Sequence, residues 1–281
     1  MKKPDSFLTV RVHELCPSPG YTGLCVGYER GKWRAEQLAN HTMSWLPEFA
    51  LSPLECEKMN HANSVAFIRR AAKAVYESKK FKNRGEFGEL FLHIAIRQVF
   101  GSIPAISKIY YKTASNDTIK GFDAVHIVSS VDDLELWIGE AKFYDNIGRA
   151  IRDVVKEVID HTQTDYLRSE FALITNKIDD SGKHAVALKK LLDPNTSLDE
   201  VFKRVCIPVL LTYDSPTVQA YTTCSEEYKT AFVDEVESHW RDFAGRDLPA
   251  EFRIHLFLLP LHEKISLVGF LDERLKTWQL L

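Results

Sequence analysis

The chain has 281 residues, 45% hydrophobic and 27% charged, with a formal net charge of −3 at pH 7. These values fit one large globular α/β domain, or one with substantial additions. They exclude a helical membrane span, because no apolar stretch is long enough, and nucleic-acid binding by bulk charge, so any such contact needs a local patch.

Residues 7–14 alternate as a strand does, and the turn-rich Cys16-Pro17-Ser18-Pro19-Gly20 follows. A short helix is expected over 32–46, ending at Trp45 and Pro47. Ser52-Pro53 starts a helix with proline in its first turn, expected to run from 53 to 78. Over 69–84, Arg69, Arg70, Lys73, Lys79, Lys80, Lys82 and Arg84 face one acid, Glu77. That run reads either as an anion-binding patch or as a solvated helix end and loop.

A second helix is expected over 84–100, with the apolar face Phe87, Leu90, Phe91, Ile94 and Val99. Strands follow over 105–112, 121–128 and 134–142, then an amphipathic helix over 146–166. The run Phe171-Ala172-Leu173-Ile174-Thr175 reads as a buried strand. Helices over 181–192 and 197–204, a strand over 207–213, a helix over 225–243, a strand over 253–259 and a helix from 262 complete the chain. From Ser225 onward, eleven acids stand against seven bases, which reads as a partner-facing or solvent-facing region. The expected organisation is an N-terminal strand and helical region (1–83) packed on a core that carries a C-terminal α/β extension (84–281). The order α-β-β-β-α-β over 84–175 describes a sheet with helices on both faces, and such sheets place their sites at strand ends.

Five scattered cysteines with no CxxC pair point to a reduced, cytoplasmic protein. Met1-Lys2-Lys3-Pro4-Asp5 lacks the apolar core of a secretory signal. No phosphate-binding P-loop, GxSxG or HExxH word occurs, so any ATP hydrolysis falls to another subunit.

Three ExK words occur: Glu77-Ser78-Lys79, Glu140-Ala141-Lys142 and Glu227-Tyr228-Lys229. The first and third lie in charged, helix-like stretches. Only the second ends a strand-like run, and only it has an upstream strand that opens with an acid, Asp123. The segment 129–133 between the two runs is rich in turn residues, so they read as a hairpin. Pairing Asp123 with Glu140 centres the turn on residues 131–132, in the middle of that segment. The two carboxylates then stand opposite each other, with Cβ atoms roughly 5 Å apart, and Lys142 shares their side of the sheet. Two acids so placed suit a divalent ion, Mg²⁺ with Mn²⁺ as substitute, held by Asp123, Glu140 and the carbonyl of Ala141. With Lys142 as a fixed cation, these are the parts for phosphodiester hydrolysis. The competing reading is a surface pair of acids neutralised by Lys142. On the 84–100 helix, Glu89 borders the apolar face and is the further candidate ligand. Glu86 reads as a helix-dipole acid. Arg149, Arg152 and Lys156 form one stripe of the next helix, either for phosphates or as a solvated face.

Gly85-Glu86-Phe87-Gly88-Glu89, Gly121-Phe122-Asp123 and Gly139-Glu140-Ala141-Lys142 together resemble the PD-(D/E)xK nuclease superfamily over residues 84–175. The fold this implies is a restriction-endonuclease-like αβββαβ core, a mixed sheet flanked by helices, with N- and C-terminal additions. Adding Trp45-Leu46-Pro47-Glu48-Phe49-Ala50-Leu51 and Phe143-Tyr144, the chain is similar to the HamA family of the Hachiman anti-phage defence system. AbpA-like phage-resistance proteins share the pattern. The resemblance implies a DNA nuclease of little sequence preference, restrained by a superfamily 2 helicase, HamB. It carries the metal-binding and catalytic roles to Asp123, Glu140, Lys142 and Glu89. A non-catalytic adaptor that docks the helicase is the alternative from another class. A site-specific restriction endonuclease would need a base-reading element, and none is recognisable.

Overall fold

The computed structural model describes residues 3–16, 18–75, 85–106, 121–129, 134–178 and 184–281. A seven-stranded mixed sheet runs through the molecule. Its strands are β1 (Thr9–Glu14), β2 (Gly20–Cys25), β5 (Ile103–Ile106), β6 (Ala124–Ser129), β7 (Leu134–Phe143), β8 (Val205–Asp214) and β9 (Arg253–Leu261), in the order β1-β2-β9-β8-β7-β6-β5. The four central strands β2, β9, β8 and β7 are parallel, and both edges are antiparallel. A short separate hairpin is formed by β3 (Tyr28–Glu29) and β4 (Lys32–Trp33).

Helices cover both faces. One face carries α1 (Ala35–Ser44), α2 (Leu46–Ala50), α4 (Ser64–Val75), α5 (Gly85–Phe100) and α12 (Lys264–Leu280), with α3 (Pro53–Lys58) beside α2. They pack on Trp137, Phe143, Leu210 and Phe257 of the sheet. The other carries α6 (Ile147–His161), α7 (Thr164–Lys177), α8 (Ala185–Leu191), α9 (Leu198–Phe202), α10 (Pro216–Ala220) and α11 (Glu226–Ala244). They pack on Ile138, Val209, Leu211 and Leu256. Strand β8 alternates between the two cores, with Leu210 in one and Val209 and Leu211 in the other. That is why its sequence is apolar throughout.

The structure corrects the expected elements in three places. Residues 171–175 are helical, inside α7. Leu167, Phe171 and Ile174 recur at helical spacing and are buried, whereas Leu173 is 44% exposed, which a two-sided buried strand would not allow. The order α-β-β-β-α-β therefore closes on β8, after three more helices, and not on residues 171–175. The expected helix over 53–78 is broken between α3 and α4. Asn60 and Asn63 replace the helical pattern there: Asn60 N donates to Asn63 Oδ1 at 2.7 Å, and Ala62 N donates to Asn60 Oδ1 at 2.9 Å. Buried β2 follows directly on Gly20, where only the turn was expected. Residues 107–112 of the strand expected over 105–112, the turn at 130–133, and Glu77, Lys79, Lys80, Lys82 and Arg84 of the basic run lie outside the described residues.

The word Trp45-Leu46-Pro47-Glu48 anchors the helical layer. Trp45 is fully buried. Glu48 accepts from Arg97 Nε at 2.5 Å and from Nη2 at 3.1 Å. A polar chain runs inward from it: Glu48 Oε1 lies 3.2 Å from His93 Nε2, His93 Nδ1 lies 3.2 Å from His126 Nε2, and His126 Nδ1 lies 2.9 Å from Ser102 Oγ. One tautomer set, with each ring neutral, gives the links from His93 through His126 to Ser102 a donor and an acceptor, while His93 Nε2 meets Glu48 in distance only. Burial disfavours the Glu48 carboxylate, yet His93 and Arg97 beside it hold its pKa at about 2. The network ties α2 and α5 to β6, the strand that begins at the candidate site.

Candidate active site at the ends of two strands

Strands β6 and β7 pair antiparallel from Ser129↔Leu134 to Ala124↔Gly139. The ladder stops one residue short of the expected Asp123–Glu140 pair. The connection is completed by side chain and backbone. Asp123 N donates to Gly139 O at 2.7 Å, and Asp123 Oδ2 accepts from Ala141 N at 2.9 Å. The Asp123 carboxylate is thereby fastened to the backbone between Glu140 and Lys142. Glu140 is buried, at 1% exposure.

Two glycines make room for this arrangement. A Cβ on Gly139 would meet Leu92 of α5 at 2.8 Å and Pro208 of β8 at 2.9 Å. A Cβ on Gly88 would stand 3.0 Å from Cβ of Phe143. Close packing of α5 on β7 thus requires both.

The other wall is α6. Its first turn is capped by Asn146, whose Oδ1 accepts from Arg149 N at 2.8 Å. Its buried stripe of Ala150, Ile151, Val154 and Val158 packs on the sheet. Two polar residues four apart, Glu157 and His161, continue that stripe and meet the two residues of the ExK word. Glu157 pairs with the Lys142 ammonium, and His161 Nδ1 lies 2.5 Å from Glu140 Oε1. His161 is itself held by its ring stack on Tyr166 (4.4 Å between centroids, 6° between planes) and the edge of Phe122 at 5.5 Å. Behind it, buried Glu170 of α7 approaches Gly121, where a Cβ would stand 3.0 Å from Oε2.

The electrostatics separate the two partners. Burial alone would lower the Lys142 pKa, but the Glu157 hydrogen bond and the charges of Glu157, Asp123 and Glu140 hold it above the usual lysine value. Lys142 is therefore a permanent cation, suited to stabilising negative charge and unsuited to accepting a proton. For His161, burial outweighs the surrounding acids and lowers the pKa. The neutral ring donates from Nδ1 to Glu140 and fixes the carboxylate's direction.

The remaining expected residues divide. Glu89 is half-buried on α5, next to the glycine that packs against Phe143 of β7. Arg149 lines the cleft that holds Lys142 and lies over the Tyr144 ring at 4.8 Å. Arg152 and Lys156 point to solvent on the outer side of α6, with Arg152 paired to Asp153 at 3.0 Å. Sequence reasoning missed Glu157 and His161, and gave Tyr144 no role. The available signal was a histidine and a glutamate continuing the apolar stripe of an amphipathic helix.

Among the described residues, no group of three or more His, Cys, Asp or Glu side chains is gathered so as to hold a metal ion. Asp123 and Glu140 bring carboxylate oxygens to this end of β6 and β7. This is a hard set, and it fits a magnesium ion that keeps several waters better than it fits zinc. No described helix is long and apolar enough to cross a membrane.

A family model described as HamA matches residues 4–275. No curated protein matches the chain.

Proposed function

The chain belongs to the HamA family, and from that membership we propose that it is a metal-dependent DNA nuclease of the Hachiman anti-phage defence system, restrained by the helicase HamB. The observation that carries the reading is the Asp123 carboxylate bonded to the Ala141 N–H, between buried Glu140 and a cationic Lys142. The run α5-β5-β6-β7-α6, followed after three more helices by the parallel strand β8, supports a PD-(D/E)xK core.

In this reading Asp123, Glu140 and the Ala141 carbonyl would hold Mg²⁺ or Mn²⁺, with Glu89 as a further ligand. When bound, the ion supplies Lewis acidity to a phosphodiester oxygen and a more acidic water. Lys142 leaves Glu157 to meet the phosphoryl oxygens as negative charge builds on them. His161 keeps the Glu140 carboxylate aimed at the ion. His161→Ala is expected to lower cleavage about 10- to 100-fold, the usual cost of losing a ligand's outer partner, and to raise the Mg²⁺ concentration needed for half-maximal rate. An unchanged Mg²⁺ requirement would show that His161 does not act through Glu140.

Phage challenge of cells carrying the two-gene system tests the function. Lys142→Ala is expected to abolish protection while the chain still co-purifies with HamB. Full protection by that variant would assign the chain to helicase docking instead.

A further inference from the structure

The cleft beside Lys142 has a volume of about 770 Å³ and opens where β7, β8 and β9 end. Two cations lie over aromatic rings in its wall. The Arg149 guanidinium lies 4.8 Å from the Tyr144 ring centroid, and the Lys264 ammonium lies 5.9 Å from it and 4.9 Å from that of Phe143. Lys264 opens α12, and its backbone N donates to Asp214 Oδ1 at 2.6 Å. Arg149 sits in the first turn of α6, and Gly85 opens α5, so three helices begin at this cleft.

Asp145, Asp214 and Glu263 share the wall with Lys142, Arg149 and Lys264, three acids against three bases. Bulk attraction for a polyanion is therefore weak here. Recognition has to come from local contacts: an aromatic face and cations at fixed positions. An aromatic ring flanked by an arginine and a lysine is the recurring platform for a single strand, with the base stacked on the ring and the adjoining phosphates on the cations. The volume is that of a small-molecule site, which takes a few nucleotides of one strand and not the width of a duplex.

We infer that this cleft is a subsite for single-stranded DNA, in which Arg149 and Lys264 turn from the Tyr144 ring to the phosphates on either side and a base next to the scissile phosphate stacks on the ring face they leave. The inference rests on the nuclease reading for the position of the scissile phosphate. Acting on one strand also gives a helicase partner a direct role, because strand separation is what presents such a substrate.

The test measures binding in EDTA, so that it is independent of cleavage. A fluorescent oligonucleotide, single-stranded or annealed to its complement, is titrated with the full chain, with Tyr144→Ala, Tyr144→Phe and Lys264→Gln. Wild type is expected to prefer the single strand. Tyr144→Ala weakens that binding about tenfold or more, Tyr144→Phe retains it, and Lys264→Gln weakens it and flattens its salt dependence. Thermal unfolding of each variant verifies its fold. Equal affinity for the single strand in Tyr144→Ala, a preference for duplex, or binding to neither form by wild type overturns the inference. Absence of cleavage by wild type in Mg²⁺ bears on the nuclease reading, and binding measured in EDTA bears on the subsite.

Discussion

Lys142→Ala is expected to lower DNA cleavage by about 10²- to 10³-fold, the effect of removing one preorganised donor from a charge-building transition state. Glu140→Ala is expected to leave no measurable cleavage, because it removes a ligand and leaves His161 aimed at nothing. Neither loss should come from unfolding. Lys142→Ala strands Glu157, whose side chain is 39% exposed and can be solvated. Glu140→Ala removes a buried carboxylate and leaves a neutral imidazole. Circular dichroism and thermal unfolding of both variants should match wild type within a few degrees while the rates collapse. Arg152→Ala is the control: Arg152 is exposed and already paired with Asp153, so its rate should stay within a few-fold of wild type. Rates for Lys142→Ala that equal those of Arg152→Ala would remove Lys142 from the chemistry.

The chain should also lose stability steeply between pH 7.5 and pH 5. Burial pushes the pKa of His41 down to about 4 and that of His255 to about 3, and it lowers His93 and His126 as well. The sign follows from proton counting. Below the ordinary value of 6.5 the unfolded chain takes up protons that the folded chain refuses, so stability falls as pH falls, down to the folded values. By pH 5, His41 and His255 cost about 2 kcal/mol each. That is about 4 kcal/mol from a total that is typically 5–15 kcal/mol. His255 has no exit, since its Nε2 is bonded to Thr22 Oγ1 at 2.8 Å inside the sheet. Urea unfolding at the two pH values measures the difference, and His255→Gln should reduce it. A midpoint that does not move would mean that these rings take up protons while folded.

What was legible in the sequence was local. The β6–β7 hairpin could be read because its two apolar runs flank a turn-rich segment, and the distance from Asp123 to Glu140 agrees with that turn. The same context separated Glu140-Ala141-Lys142 from the ExK words at 77–79 and 227–229. The apolar face of α5 was equally plain from its spacing. The segment 171–175 was not, because five apolar and β-branched residues suit either a strand or a helix, and only burial of Leu167 with exposure of Leu173 decides. The partners of Glu140 and Lys142 were hidden for a different reason. Glu157 and His161 lie more than a dozen residues downstream, and their meeting with the ExK word depends on how α6 docks across the sheet. The cleft around Tyr144 was beyond reach in the same way, since Arg149 and Lys264 are brought together by the ends of strands far apart in the chain.

The central claim is tested most directly by incubating plasmid and linear DNA with the purified chain, alone and with HamB and ATP, in Mg²⁺ or in EDTA, beside Glu140→Ala. Cleavage in Mg²⁺ that disappears in EDTA and in the variant is the predicted result. Cleavage that survives EDTA or the Glu140 substitution, or no cleavage in any of these mixtures, would contradict it.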